Sequence, residues 1–244
     1  MFNFFEVGGC VRDEIMGVKS KDIDYTVVAD DELLEKTTDP GEIFYVLENY
    51  LYKEGYTIWL STPDCFTIRA KFPVGHKNEG VTADFVLARK ELSYIPGTRK
   101  PKVVAGTLHD DLQRRDFTVN AIAKDQDGNY IDPFNGITDI KNKRLRTPLD
   151  VEVTFGDDPL RILRAIRFAV TKGFTMTGDM WDTIRTYDYM NKMPVVSEER
   201  IREELFKAFK HDSLITIALL CDFPKLARYI FDETNLWLKP TNEQ

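Results

Sequence analysis

The most informative part of the chain is the stretch VGGCVRDEIMGVKSKDIDYTVV at residues 7–28. Its two ends are predicted strands, because FFEV runs into the glycine pair and DIDYTVVA alternates before it becomes apolar. Gly8 and Gly9 are predicted to form the turn between the first strand and a short helix that ends at Gly17. Asp22 and Asp24 lie two residues apart on the second strand, so their carboxylates point to the same face of the sheet.

Two carboxylates this close repel each other unless a cation neutralises them. Mg²⁺ prefers a few carboxylates together with phosphate oxygens and water, and two such ions are suited to in-line displacement at phosphorus. Asp84 lies in the otherwise apolar strand TADFVLAR, where an unpaired acid is costly, so it is the predicted third carboxylate. An exposed acidic strand face is the alternative explanation.

The glycine turn precedes a helix whose N-terminal amides are suited to hold a phosphate chain, and Arg12 in the first turn adds charge-assisted contacts. An ordinary tight turn is the alternative, because the Gly8–Gly9 pair matches neither a P-loop nor a dinucleotide fingerprint.

The remaining elements are predicted from periodicity. Apolar residues at helical spacing predict a helix over residues 41–55, and three strands follow in YTIWLS, CFTIRAKF and VTADFVLAR. Residues 91–106 are rich in Pro, Gly, Lys and Arg without periodicity, which predicts a long mobile loop. LHDDLQRR predicts the start of a helix, and from about residue 157 the chain is predicted to be helical almost throughout, with Ser197 as an N-cap. We therefore predict an α+β fold with a mixed-sheet head and an all-helical remainder.

Composition limits the classes of function. The 244 residues are 43% hydrophobic and 30% charged, a globular balance that excludes disorder and fibrous repeats. A net charge of −7, from 33 basic and 40 acidic residues, argues against nucleic-acid binding through bulk positive charge but leaves room for a local basic surface. Three cysteines without a CxxC pair argue against a disulfide framework and a structural zinc site. With no membrane-spanning run and no signal-peptide pattern, we expect a cytoplasmic protein.

Five sequence blocks resemble the motifs of one known family, the class II tRNA nucleotidyltransferases, which comprise CCA-adding enzymes and bacterial poly(A) polymerases. Residues 7–28 resemble its first motif. The others follow in the family's order as LHDDLQRRDFTVNAIA, YIDPFNGITDIKNKRLR, FGDDPLRILRAIRFA and SEERIREEL. The resemblance implies a polymerase β-like nucleotidyltransferase head at residues 1–150, a helical neck at 151–212 that recognises the base, and a short helical body at 213–244 without the usual tail.

The resemblance also assigns roles in the head. Asp22, Asp24 and Asp84 match the metal-binding acids and are expected to hold two Mg²⁺ ions. Gly9 and Arg12 match the triphosphate contacts, with Gly8 beside them, and Arg115 matches an arginine that contacts the nucleotide. Asp116 and Asn120 lie in the block linked to ribose recognition, and Asp132 of DPFNG is expected to belong to a structural hinge.

In the neck, Asp158 and Arg161 match the pair that reads the incoming base, and Arg164 and Arg167 match further arginines that contact the nucleotide. The spacing of three puts Asp158 and Arg161 on one helix face. A carboxylate accepts from an exocyclic amine while a guanidinium donates to a ring nitrogen or carbonyl, so C and A fit this pair and U and G do not. An ordinary i,i+3 salt bridge is the alternative.

These assignments predict an enzyme that adds C and A to the 3′ end of tRNA from CTP and ATP. The open alternatives are a poly(A) polymerase, an enzyme that adds only CC or only A, and an RNA- or nucleotide-binding module without catalysis. The chain departs from the family pattern in length and at Asp157, where the family usually has Glu. Arg99, Lys100, Lys102 and the cluster at 141–146 are candidates for RNA backbone binding. The sequence leaves open whether the chain forms a homo-oligomer.

Overall fold

The computed structural model describes residues 1–20, 23–94, 98 and 101–234. Asp22 of the predicted metal site therefore lies outside the described residues, as do Arg99 and Lys100. Contacts divide the chain into two units: the first comprises Met1–Ile95 and Lys100–Asn142, and the second comprises Pro96–Arg99 and Lys143–Gln244. This division precedes the predicted end of the head at residue 150.

The first unit, which we call the head unit, mixes strands and helices. Its strands are β1 (Phe2–Val7), β2 (Ile23–Ala29), β3 (Thr57–Thr62), β4 (Thr67–Lys71), β5 (Thr82–Leu87), β6 (Arg89–Tyr94), β7 (Pro101–Ala105), β8 (Ala123–Lys124) and β9 (Tyr130–Ile131). Its α-helices are α1 (Gly9–Ile15), α2 (Asp31–Leu34), α3 (Pro40–Lys53), α4 (Leu108–Gln113) and α5 (Gly136–Lys141).

In the described part of the chain, seven strands form one sheet in the order β3-β4-β5-β2-β1-β8-β9. Strands β2 and β5 pair in parallel, whereas the other neighbouring strands pair antiparallel. The strands predicted in YTIWLS, CFTIRAKF and VTADFVLAR are present as β3, β4 and β5. The mixed sheet with its helices confirms the predicted α+β class of the head.

Helix α3 covers one face of this sheet. It begins where the Asp39 carboxylate accepts from the amide of Gly41, with Pro40 in the first turn. Its buried side chains are Ile43, Phe44, Leu47 and Leu51, each fully shielded from solvent. They pack against alternate residues of β2 and β5 in one core cluster, which includes Tyr25, Val27, Ala83, Phe85 and Leu87. Each such side chain contributes about 1.5–3 kcal/mol of transfer free energy. Because strand side chains alternate, the residues between them face the other side of the sheet.

The described residues of the segment 91–106 do not form the predicted mobile loop. Strands β6 and β7 pair antiparallel, from Arg89 opposite Ala105 to Tyr94 opposite Pro101. The sequence pattern did not predict this hairpin because its strands carry charged side chains in place of alternating apolar ones. The Glu91 carboxylate lies 3.3 Å from an Arg89 nitrogen and 3.6 Å from an Arg114 nitrogen, so charge pairing takes the place of apolar alternation there.

The DPFNG segment forms a tight turn before α5. Asp132 accepts hydrogen bonds from the amides of Gly136 (2.7 Å) and Ile137 (2.9 Å), which fixes the start of the helix. A Cβ on Gly136 would lie 2.1 Å from the carbonyl oxygen of Thr118, so only glycine allows this approach. The turn therefore fixes the chain near the end of the head unit.

The second unit, the helical unit, contains mainly α-helices. They are α6 (Val151–Asp157), α7 (Leu160–Lys172), α8 (Gly178–Thr186), α9 (Tyr189–Lys192), α10 (Glu198–His211), α11 (Ser213–Cys221) and α12 (Pro224–Arg228). A two-residue parallel ladder joins β10 (Arg144–Leu145) to β11 (Thr175–Met176), which the prediction of an all-helical segment missed. None of the described helices is both long and apolar enough to span a membrane.

The predicted ends of two helices can be compared with the structure. Helix α7 ends at Gly173, which adopts the left-handed conformation (φ 67°) typical of a helix C-terminus. Helix α10 begins directly after Ser197, but the Ser197 side chain makes no capping hydrogen bond with the described residues.

Candidate active site

Asp24 and Asp84 lie side by side on the sheet face opposite α3. They are directly paired residues of the parallel strands β2 and β5. Because paired residues of neighbouring strands point to the same face, both carboxylates project from one place on the sheet. The sequence predicted Asp24 and Asp84 as members of one site together with Asp22, which lies outside the described residues.

An arginine continues this row. Arg69 on β4 is paired with Asp84 on β5, and its Nε and Nη2 atoms each donate to the Asp84 carboxylate over 2.7 Å. A bidentate arginine fixes the orientation of a carboxylate more strictly than a single hydrogen bond does. Sequence analysis missed Arg69. The alternation of CFTIRAKF could have identified it. Arg69 lies between Ile68 and Ala70, which are fully buried, so its side chain faces the opposite side of the sheet.

The glycine turn approaches the same row. Gly8 has a positive φ of 73°, and a Cβ at this position would lie 3.0 Å from Arg115 Nη1 and 3.8 Å from Asp24 Oδ2. Gly8 is thus favoured by its positive φ and by the close approach of the Arg115 guanidinium, whereas 3.8 Å from Asp24 is an ordinary contact distance. Helix α1 follows the turn as the sequence predicted, but it already begins at Gly9, which the sequence had assigned to the turn. The turn therefore brings a backbone segment, a carboxylate and a guanidinium together.

A fully buried carboxylate holds Arg115 in place. Asp111 Oδ2 accepts from Arg115 Nη2 (2.9 Å) and from the hydroxyl of Thr26 on β2 (2.7 Å). Its other oxygen accepts from Arg114. Burial alone would raise the pKa of the Asp111 carboxyl, but the charges of Arg114 and Arg115 and the Thr26 hydroxyl outweigh it and hold the pKa below its usual range. Sequence analysis missed Asp111, although its spacing of three and four from the two arginines is visible in DDLQRR.

The second predicted group of the head forms a chain of hydrogen bonds. Arg12 Nη1 donates to Asn120 Oδ1 (2.5 Å), and Asn120 Nδ2 donates to Asp116 Oδ1 (2.8 Å). Arg12 also contacts Asp13, and its Nη2 atom lies 3.6 Å from where a Cβ on Gly9 would be. The structure therefore brings Arg12, Asp116 and Asn120 together beside the glycine turn, with all three buried.

In the helical unit, Asp158 and Arg161 lie at the junction between α6 and α7. Asp158 Oδ1 accepts from the amide of Leu160 (3.1 Å), and Arg161 Nη1 donates to the carbonyl of Thr154 (3.3 Å). Each side chain is thus tied to a neighbouring backbone group. A charged acceptor and a charged donor at one helix start are suited to paired hydrogen bonds with a planar ligand edge.

Arg164 and Arg167 extend from α7 toward α10, where both meet the buried Glu204. Arg167 Nε donates to Glu204 Oε2 (2.5 Å), and Arg164 Nη1 lies 3.7 Å from Glu204 Oε1. Sequence analysis predicted nucleotide contacts for these arginines and missed Glu204. The signal for Glu204 was its position on the apolar face of α10 with Ile201, Leu205 and Ala208, which are also buried.

The residues of the head suit a divalent cation. Asp24 and Asp84 carry carboxylate oxygens, the ligands that Mg²⁺ prefers, at directly paired strand positions, and each Asp84 oxygen also accepts from Arg69. Across the ranges that the structure describes, no group of three or more His, Cys, Asp or Glu side chains forms a metal site. The predicted ligand set includes Asp22, which lies outside those ranges.

Comparison with known proteins identifies the family. Residues 4–146, more than half of the chain, match the family model of the poly A polymerase head domain. The chain belongs to the class II tRNA nucleotidyltransferase family. This confirms the family and the fold predicted from the five sequence blocks.

Individual members of the family resemble the chain over most of its length. It is 34% identical over 213 residues to the multifunctional CCA protein of Psychromonas ingrahamii, covering 84% of this chain and 45% of that protein. A tRNA nucleotidyltransferase complexed with a primer tRNA and an incoming ATP analogue is 25% identical with a TM-score of 0.70, covering 95% of this chain and 60% of that one. The CCA-adding enzyme of Bacillus stearothermophilus in complex with CTP is 26% identical with a TM-score of 0.67, covering 96% and 49%. The chain thus spans about half the length of the curated relatives that it matches.

Proposed function

We propose that this chain is a template-independent RNA nucleotidyltransferase that adds C and A to the 3′ end of tRNA from CTP and ATP. The observation that carries the proposal is the direct pairing of Asp24 with Asp84, with Gly8 and Arg115 beside Asp24. Similarity to CCA-adding enzymes supports this choice of substrates. We further propose residues 1–150 as the catalytic head, 151–212 as the base-reading neck and 213–244 as a short body.

In the proposed reaction, the 3′-hydroxyl oxygen of the RNA attacks the α-phosphorus of the nucleotide. A new phosphodiester bond forms, the bond to the β-phosphate breaks, pyrophosphate leaves and the hydroxyl proton passes to solvent. Asp24 and Asp84, together with Asp22, are proposed to hold two Mg²⁺ ions. Bound Mg²⁺ would lower the pKa of the hydroxyl and offset the charge on the departing pyrophosphate.

The other residues of the head bind and orient the nucleotide. The Gly8–Gly9 backbone allows close approach of the triphosphate because it carries no side chains, and Arg115 lies beside Gly8. We propose that Arg115 contacts the phosphates, held in position by Asp111 and Thr26. Asn120 and Asp116 are proposed to contact the ribose, with their orientation fixed by Arg12. These residues of the head orient the reactants through binding contacts rather than by acting as a general base.

The decisive experiment supplies tRNAs that end at the discriminator base, at C and at CC, with each labelled nucleotide separately. We expect two C additions followed by one A. A long run of A would instead identify a poly(A) polymerase, and a ladder that stops early would identify a CC-only or A-only enzyme. Transfer to none of these primers would contradict the proposal and favour a binding module.

The same assay tests the carboxylates. We expect Asp24→Ala to lower the rate of transfer by more than about 100-fold, since losing even an outer-shell metal partner costs about 10–100-fold. Asp127→Ala removes an exposed acid of the same unit and should leave the rate unchanged. Circular dichroism of the Asp24 variant checks that its fold is intact. Undiminished transfer by Asp24→Ala would contradict the metal assignment.

We propose that Asp158 and Arg161 select the base. Their support is that backbone contacts to Leu160 and Thr154 hold both side chains at the start of α7. We expect Asp158→Ala to reduce the preference for CTP and ATP over UTP and GTP by about 10-fold, as a lost base contact does. Asp157→Ala is the matched control at the neighbouring position. A preference unchanged in Asp158→Ala would place base selection elsewhere. A cytoplasmic location and a homo-oligomeric state stay predictions.

A further inference from the structure

An irregularity in the edge strand β3 gives the head unit an exposed apolar surface. In the pairing of β3 with β4, Ile58 lies opposite Ala70 and Leu60 lies opposite Arg69. Trp59 therefore has no residue opposite it, which is the pattern of a β-bulge. Bulges often re-aim side chains next to functional sites.

The bulge brings two consecutive apolar side chains to the surface. Ile58 packs against the core cluster on the α3 side of the sheet, whereas Trp59, the extra residue of the bulge, lies outside that cluster and is exposed. Leu60 lies opposite Arg69, and directly paired residues share a face. The two side chains are accordingly open to solvent, with Trp59 69% exposed and Leu60 54% exposed. We call Trp59 and Leu60 the bulge platform.

The bulge platform continues the row of charged residues described above. Leu60 is paired with Arg69, Arg69 with Asp84, and Asp84 with Asp24, so one line crosses β3, β4, β5 and β2 on a single face. Neighbouring strands are about 4.8 Å apart, which puts β3 about 10 Å from the strand of Asp84. The platform is thus within reach of the last bases of an RNA strand whose 3′-hydroxyl lies at the carboxylates.

The chemistry of the platform suits a nucleobase. Proteins that bind single-stranded nucleic acid stack bases on exposed aromatic side chains, and an adjacent arginine adds favourable electrostatics. Resting on the proposed function, we propose that the Trp59 indole stacks on a base near the 3′ end of the RNA primer, with Leu60 extending the apolar surface. The rival occupant is β3 of a second copy, because an uncharged edge strand can pair with another edge. The bulge disfavours that pairing by interrupting the regular strand edge.

Steady-state kinetics with a tRNA ending in CC test the platform. Trp59→Ala should raise the KM for the tRNA about 10-fold, within the range of one lost base–aromatic stack, while the KM for ATP and kcat change less than about twofold. Trp59→Phe keeps an aromatic ring and should restore most of the tRNA affinity. Tyr52→Ala removes a 75% exposed aromatic on α3, on the other side of the sheet, and should leave the KM for the tRNA unchanged.

A binding measurement separates this proposal from the proposed function. Titration with a short single-stranded RNA ending in CC should quench indole fluorescence in the wild type, and Trp59→Phe should lack that component. An unchanged KM for the tRNA in Trp59→Ala overturns the platform even when transfer by the wild type establishes the function. A fall from dimer to monomer in Trp59→Ala, measured by light scattering, overturns it in favour of pairing between copies. If the wild type transfers nothing, the fluorescence difference still decides whether RNA binds at Trp59.

Discussion

Among the described residues, the buried carboxylates Asp111 of the head unit and Glu204 of the helical unit each hold two arginines, but the two arrangements connect different parts of the chain. In the head unit, Asp111 binds Arg114 and Arg115 of its own segment, three and four residues away. In the helical unit, Glu204 on α10 binds Arg164 and Arg167 of α7. Asp111 is fully buried and accepts a further hydrogen bond from Thr26 on β2. Glu204 has one arginine nitrogen at 2.5 Å and a second at 3.7 Å.

The arginine contacts of Asp111 lie within one segment, whereas those of Glu204 join two helices. The contacts of Asp111 orient an arginine that lies beside the Gly8 turn, so its main consequence is the position of Arg115. The contacts of Glu204 join two helices that are distant in the sequence, so its main consequence is the packing of α7 on α10. Substitutions of the two carboxylates should therefore have different effects.

The largest effect is expected for Asp111→Asn. Removing one member of a buried ion pair leaves uncompensated charge and costs about 3–5 kcal/mol. Urea denaturation should show this loss in the free energy of unfolding. Asp127→Asn, at an exposed position of the same unit, should change it by less than about 0.5 kcal/mol. A loss below 1 kcal/mol in Asp111→Asn would show that Arg114 and Arg115 find other partners.

The pH dependence of this effect has a definite sign. The pKa of Asp111 is lower in the folded protein than in the unfolded chain, where it is about 3.9. Its contribution to stability is thus complete above that value and is lost as the pH falls through the folded pKa. The gap in unfolding free energy between the wild type and Asp111→Asn should be constant from pH 7 to 5 and narrow below pH 4. A gap that widens on acidification would contradict the assignment.

A smaller effect is expected for Glu204→Gln. Its arginines are partly solvated, with Arg164 32% and Arg167 17% exposed, so the loss should be about 1.5–3 kcal/mol, the range of hydrogen bonds to charged groups. The exposed neighbour Glu203→Gln provides the control on the same helix. Because Glu204 acts between helices, the variant should also increase hydrogen exchange of the α7 and α10 amides. Unchanged hydrogen exchange of those amides would show that Glu204 neutralises its arginines without stabilising the packing of α7 on α10.

Much of the fold could be predicted from local patterns. Alternation identified β3, β4 and β5, and helical spacing with a terminal glycine identified α3 and α7. The hairpin of β6 and β7 was missed because its strands carry charges such as Arg89 and Glu91, which find partners within the hairpin and on α4. The two-residue ladder of β10 and β11 was missed because so short a strand has no detectable period.

By itself, the sequence determined the family and named most residues of the candidate site. The five blocks keep their order along the chain. Properties such as alternation or a positive-φ glycine depend on neighbouring residues, so the sequence alone can predict them. Only the tertiary structure decided that Arg69 meets Asp84, Thr26 meets Asp111 and Arg167 meets Glu204. It also showed that Asp24 and Asp84, which the sequence had predicted for one site, are directly paired strand residues. Strand order, register and helix packing set these pairs, because they bring together residues whose separation in the chain carries no periodic signal. The same register places Leu60 opposite Arg69, on the face of the carboxylates.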